Sequence, residues 1–249
     1  MTDTAPFSFS SRATVRSYSG RHLSDALLTE MLQAASHAPN TGNMQWYSVV
    51  ITRDKASKAR LAPAHFNQPQ VTGAQAVLTF CIDLRRFEHW CRLNDAEPGF
   101  DNFQSFVAAC IDTSLVAQQF CTIAEMAGLG TCYLGTTTYN ARQIAEALEL
   151  PRRVVPLTTV TVGYPATPVV PSWRLEPEAW IHSETYRDAS DADIARWYAP
   201  LEQDPASERF IAENGKKTLA QVFTDVRYPR GAAEEFSRLY LEFISKNGF

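Results

Sequence analysis

The stretch FQSFVAACIDTSLVAQQFCTIAEMAGLG, residues 103–130, constrains the fold more than any other part of the chain. At 3.6 residues per turn it predicts a helix of about seven turns. Phe103, Phe106, Val107, Ile111, Leu115, Val116, Phe120, Ile123 and Met126 spread apolar surface nearly all round it. A helix without a wet face must be central, either within a large core or across a subunit interface. Gly128 or Gly130 ends it, each readable as a glycine C-cap. A chain of 249 residues, 45% of them hydrophobic, can supply such a core. No linker or internal repeat divides it, which predicts one compact domain with excursions.

Around that helix the pattern alternates. Residues 24–37, SDALLTEMLQAASH, predict a helix capped by Ser24, with Leu27, Leu28, Met31, Leu32 and Ala35 on one stripe. WYSVVIT (46–52), AVLTFCI (76–82) and VPLTTVTVGYP (155–165) read as strands. DKASKARLA (54–62) is a short polar helix and AHFNQPQVTGAQ a loop; residues 83–102 give a helical turn and an irregular excursion. Asn140 with Gln143 three residues on predicts a capping box opening a helix over 140–148. After 165 come a proline-containing loop and helices near 191–198 and 232–246. Strands spaced by helices imply an α/β or α+β sheet wrapped by helices.

Several functions are excluded early. A net charge of −4 offers no basic face for nucleic acid; Arg85-Arg86, Arg152-Arg153 and Lys216-Lys217 read as solvated corners. No apolar run approaches the roughly 20 residues needed to span a bilayer. MTDTAPFSFSSR lacks the apolar core of a signal peptide, so the protein is expected in the cytoplasm. Five cysteines without a CxxC predict free core thiols, not disulfides or zinc. His22, His37, His65, His89 and His182 form no metal-ligand pair, and no GxSxG elbow is present.

Four polar motifs remain. HAPNTGNMQW (37–46) crowds amide and hydroxyl groups at the mouth of a strand, either as a helix stop and turn or as a hydrogen-bonding wall. SSRATVRSY (10–18) sets two arginines four apart with a threonine midway, a solvated edge or an anion cradle. VVPSWRLEPEAW (169–180) fixes Arg174 in a proline-stiffened loop: a surface strap, or a second anion contact. GLGTCYLG (128–135) is no dinucleotide fingerprint, since it closes a helix and has Tyr133 where glycine is required. Without an evident acid–base or nucleophilic set, these donors suggest that a cofactor supplies the chemistry.

In this order, R-A-T-V-R, A-P-N-T-G-N-M-Q-W, G-L-G-T-C-Y-L-G, G-Y-P and P-S-W-R, the chain resembles the FMN-dependent nitroreductase family, closest to its NADPH-dependent nitroreductase and flavin reductase branch. The resemblance covers essentially the whole chain. It implies an α+β fold with a central mixed or antiparallel sheet wrapped by helices, and an intertwined homodimer with FMN at the interface. It implies an FMN-binding core over residues 1–165 and a C-terminal extension over 166–249 within the same domain. Arg12, Thr14 and Arg16 would line the phosphate, ribityl and pyrimidine side of FMN, with Arg174 on the phosphate. Ser172 stands where the branch usually has a basic residue. Asn40 would approach from the partner, and Gln68 and Gln70 would meet the pyrimidine edge. Tyr133, Leu134, Gly135 and Thr136 would run beside the ring, the backbone near Gly135 meeting N5. No protein group is required as nucleophile, and no metal. NADPH or NADH would deliver a hydride to N5, and nitroaromatics, quinones or flavins would collect it in ping-pong order. Lys216 and Lys217 replace arginines read as contacting the NADPH 2′-phosphate. Two rivals stand beside this reading: an FMN-binding sensor or carrier without turnover, and a non-flavin interaction protein whose apolar helix is a dimer seam.

Overall fold

The computed structural model describes residues 11–249; the expectation for MTDTAPFSFS lies outside them. The first unit comprises residues 11–171 and Phe236–Phe249, the second Ser172–Glu235. Along the chain run α1 (Asp25–Ala35), β1 (Tyr47–Thr52), α2 (Lys55–Leu61), α3 (Pro69–Gly73), β2 (Ala76–Asp83), α4 (Arg85–Leu93), α5 (Phe103–Met126), β3 (Gly130–Leu134), α6 (Ala141–Ala147) and β4 (Val154–Gly163). The second unit holds α7 (Asp191–Glu202), α8 (Pro205–Glu213) and α9 (Leu219–Val222), and α10 (Arg230–Lys246) carries the chain back into the first.

The four strands form one sheet in the order β1-β2-β4-β3, every pairing antiparallel, so the fold is α+β. Side chains alternate across it as the pleat demands. Leu78, Phe80, Val160 and Val162 meet Met31 of α1 and Val116, Phe120 and Ala124 of α5 on one face. Val77 and Leu134 meet Leu61, Val71 and Ile144 on the other. Pro156 lies in the inner strand β4, where it cannot donate to a ladder. The register slips there, Phe80 facing Thr158 and Cys81 facing Pro156, which is the bulge that such a proline requires.

Helix α5 packs on α1 and on all four strands. It has the length and apolar composition of a membrane-crossing segment, correcting the expectation that no such run exists. Ten of its residues are nonetheless buried, Asp112 among them. It also keeps an outer face in the single chain, where Phe103, Ile111, Leu115 and Met126 are exposed.

The helix ends in a paired C-terminal motif: Leu129 N–H donates to Ala124 O at 2.9 Å and Gly128 N–H to Glu125 O at 3.0 Å, with Gly128 left-handed at φ 75. Gly130 has a different role from the cap expected of it. It opens β3, where a Cβ would lie within 3.0 Å of three carbons of Val15. TCYL is thus strand, not merely motif. Its edge is met by the N-terminal segment: Thr14 bridges Thr131 in parallel, and Val15 N–H donates to Thr131 O at 3.0 Å.

Other local expectations change too. The capping box at Asn140 does not form, because its Nδ2 donates instead to Ala64 O at 2.9 Å. The presumed loop at 64–75 contains part of the 3-10 turn Ala62–His65 and all of α3. Arg153 is no solvated corner: it is buried, ion-paired with buried Glu88, donates to Gly248 O at 2.6 Å and lies 4.2 Å over the Phe249 ring. All five cysteines are free, and only Cys110 is less than buried. Burial pushes the Cys81, Cys121 and Cys132 thiols up, and that of Cys110 to about 11.

Gly130→Ala is expected to lower stability by about 1–3 kcal/mol, the usual cost of overpacking, and to loosen the segment 12–19. Thermal melting and amide exchange at Val15 check this; an unchanged melting temperature and unchanged protection would refute it.

Candidate functional site

The segment after residue 11 is extended, so its side chains alternate. Ala13 and Val15 are buried, whereas Arg12 and Thr14 are half-buried and Arg16 is exposed on the other side. The R-x-T-x-R spacing therefore sets three donors on one side of the chain. Tyr18 fastens the segment: its hydroxyl donates to Val15 O at 2.9 Å and meets Thr161 Oγ1 at 2.7 Å. Burial pushes that phenol well above its usual range.

Arg12 and Arg16 lie near enough to Cys132 on β3 to act on its charge, and Thr14 bridges the preceding residue, Thr131. Gln70 is buried, its Nε2 2.5 Å from Gln68 Oε1 and 4.0 Å from Cys132 Sγ. Burial raises the Cys132 thiol, while Arg16, the Gln70 amide and Arg12 pull it back down. The structure thus brings Arg12, Arg16, Gln68 and Gln70 together at one edge of the sheet. Arg12 also pairs with Glu125 on the last turn of α5 at 3.4 Å. Burial raises the Glu125 carboxyl and the Arg12 charge opposes this.

Next along β3, Tyr133 is exposed and Leu134 is buried. A turn follows, with Thr137 Oγ1 donating to Leu134 O at 2.8 Å. Gly135 is exposed, and a Cβ there would meet only the Tyr133 ring, at 3.7 Å. Among the described residues nothing sterically requires glycine there. Thr136 Oγ1 lies 2.8 Å from Nδ1 of fully buried His65.

Asn40 belongs to a different wall. Its Oδ1 accepts from Gln45 N–H at 3.3 Å, and the loop turns through left-handed Gly42, Asn43 and Gln45. Thr41 anchors it, giving N–H (2.9 and 3.1 Å) and O–H (2.9 Å) to the buried Asp112 carboxylate on α5. Among the described residues, Asn40's hydrogen bonds stay within this loop. Ser172 and Arg174 lie in the second unit, where Arg174 Nη1 donates to Ser172 Oγ at 2.6 Å and Trp173 O at 2.8 Å. There too Lys216 pairs with Asp225 at 2.9 Å.

Sequence reasoning missed Asp112, Glu125 and His65. The two acids had a signal, as the carboxylates of an otherwise uncharged helix; His65 had none, because its partner is 71 residues away.

A sheet edge that gathers two guanidiniums, a hydroxyl, two amides and a glycine turn defines a cofactor-binding class of α+β protein, suited to a planar anionic group. The profile described as Nitroreductase family matches residues 9–164, and the chain belongs to that family. A Bacteroides fragilis protein provisionally classed as an oxidoreductase superposes with a TM-score of 0.94 at 51% identity, over 95% of this chain and 96% of that one. The Cr(VI) reductase of Pseudomonas sp. (strain G-1) is 27% identical over 241 residues, 95% of both chains. The FMN reductase (NAD(P)H) of Bacillus subtilis is 27% identical over 248 residues, 97% of this chain and 96% of that one. The donor set suits a flavin such as FMN: two guanidiniums for a negatively charged group, amides able to hydrogen-bond a polar ring edge, and an open turn at Gly135.

Burial lowers the His65 pKa from 6.5 to about 4. Between those values the unfolded chain binds a proton that the folded chain does not, so stability falls as pH drops through this window. His65→Asn is expected to flatten that decline by up to about 1.4 kcal/mol per pH unit; parallel melting curves for both proteins from pH 6.5 to 4 would refute it.

Proposed function

We propose that the protein is an FMN-dependent oxidoreductase that takes reducing equivalents from NADPH or NADH and delivers them to small acceptors in ping-pong order. The observation that carries this is the approach of Arg12, Arg16 and Gln70 to Cys132, with Gln68 against Gln70, one strand position before the Tyr133–Thr136 segment. The acceptor classes are nitroaromatics, quinones and flavins; relatives named as an FMN reductase and a nitroreductase support two of them.

FMN bound here would supply the redox chemistry, hydride acceptance and onward electron transfer. Arg16 stabilises negative charge at the pyrimidine side, a preorganised cation aimed where charge develops. Gln68 and Gln70 donate amides to the same edge, and Thr14 and Arg12 flank it. Tyr133, Leu134, Gly135 and Thr136 border the ring. The resemblance gives the phosphate to Arg174, with Ser172 beside it. No side chain acts as nucleophile or catalytic acid.

The active form is a cytoplasmic homodimer. Phe103, Ile111, Leu115 and Met126 leave one side of α5 apolar and exposed in a single chain, which a second copy would cover. Asn40 then reaches the cofactor from the partner.

A visible spectrum followed by anaerobic titration with NADPH and NADH tests the reading. Flavin bands that bleach stoichiometrically are expected; bound FMN that never bleaches would instead indicate a sensor or carrier. Arg16→Ala and Arg174→Ala each remove a charge-assisted contact of about 1.5–3 kcal/mol, and FMN should bind about 10- to 150-fold more weakly. Full flavin retention in the double variant would refute both assignments.

A further inference from the structure

One buried imidazole joins the two segments of the first unit that present the pyrimidine-side amides and the ring-side turn. His65 ends the 3-10 turn Ala62–His65 with none of its surface exposed. Its Nδ1 meets Thr136 Oγ1 at 2.8 Å, while its Nε2 is buried without a partner among the described residues. Its carbonyl accepts the Gln68 N–H at 3.2 Å. Between His65 and Gln68, Phe66 and Asn67 are both left-handed, at φ 54 and 53. Two successive side-chain-bearing residues hold that conformation only where the surroundings impose it. Asn140 adds a second stitch, donating to Ala64 O at 2.9 Å.

Packing alone does not account for an imidazole here. The neighbouring cluster of Leu61, Ala64, Val71, Leu134 and Ile144 is apolar, and burying an unpartnered ring nitrogen beside it is unfavourable. What the imidazole adds is the bond to Thr136. We propose that His65 is a positioning residue: it locks the turn bearing Gly135 and Thr136 against the turn bearing Gln68 and Gln70, so that both meet the flavin in one fixed geometry. This rests on the FMN reading above.

The test uses full-length wild type, His65→Leu, His65→Asn, Thr136→Val, Thr136→Ser and the double variant His65→Leu/Thr136→Val. FMN dissociation constants are read by flavin fluorescence, and the midpoint potential of the bound flavin by dye equilibration. His65→Leu and Thr136→Val should each weaken FMN about tenfold and move the potential in the same direction. The double variant should be no worse than either single one, because one bond is lost only once. His65→Asn, whose Oδ1 can take the place of Nδ1, and Thr136→Ser, which keeps the hydroxyl, should stay within about threefold of wild type. Additive losses, or Leu and Val variants with wild-type affinity and potential, would overturn the lock. Should His65→Leu not fold, the Val-against-Ser contrast at the half-buried Thr136 decides alone: equal affinities overturn the proposal. Wild type that takes up no FMN defeats the flavin reading and this one together. Wild type that binds FMN while every variant matches it defeats only the lock.

Discussion

A carboxylate in the middle of a buried helix is tolerable only if donors are built around it. Asp112 on α5 has three such contacts from Thr41, and they determine where the loop after α1 must run. That loop holds three left-handed residues in four positions, a conformation that needs an external anchor. With the anchor in place, the loop between α1 and β1 is fixed against the middle of α5. At the C-terminal end of the helix, the left-handed turn at Gly128 reverses the chain into β3. One helix thereby sets the loop carrying Asn40 and the strand carrying Tyr133, whose sequence positions are 93 apart.

The site forms where the sheet would otherwise have a bare edge. Strand β3 has β4 on one side, and unpaired edge groups invite any extended segment. The N-terminal segment takes that place, and Gly130 lets Val15 come close enough to do so. Closing the edge and aligning Arg12, Thr14 and Arg16 are one event. Closing the sheet and lining up these three donors depend on the same few hydrogen bonds.

Apolar periodicity made much of this legible. α1, α5, β1, β2 and β4 carry runs long enough for helix or strand spacing to be read. Strand β3 did not, since five residues with glycine, threonine and cysteine show no alternation of their own. Helix α8 was overlooked although Asp204 and Pro205 are good helix-start residues; its Asp204 side chain does accept from Ala206 N–H. Arg153 reads locally as a solvated corner, because Glu88 and Gly248, which make its burial possible, are 65 and 95 residues away. The grouping of Gln68 and Gln70 with Arg16 came from resemblance to a family. Nothing local in HFNQPQVT predicts two left-handed residues in succession or an imidazole reaching across to Thr136.

The sulfur chemistry of the first unit has a bearing on durability. Thiolates, not thiols, react with electrophiles and oxidants. Cys81, Cys121 and Cys132 are wrapped in apolar packing that keeps them protonated, and Cys110 ionises only far above neutrality. A catalyst that releases partly reduced, electrophilic products beside its own backbone would be spared self-alkylation at these four sulfurs. The core packing that shapes the fold also acts as chemical armour.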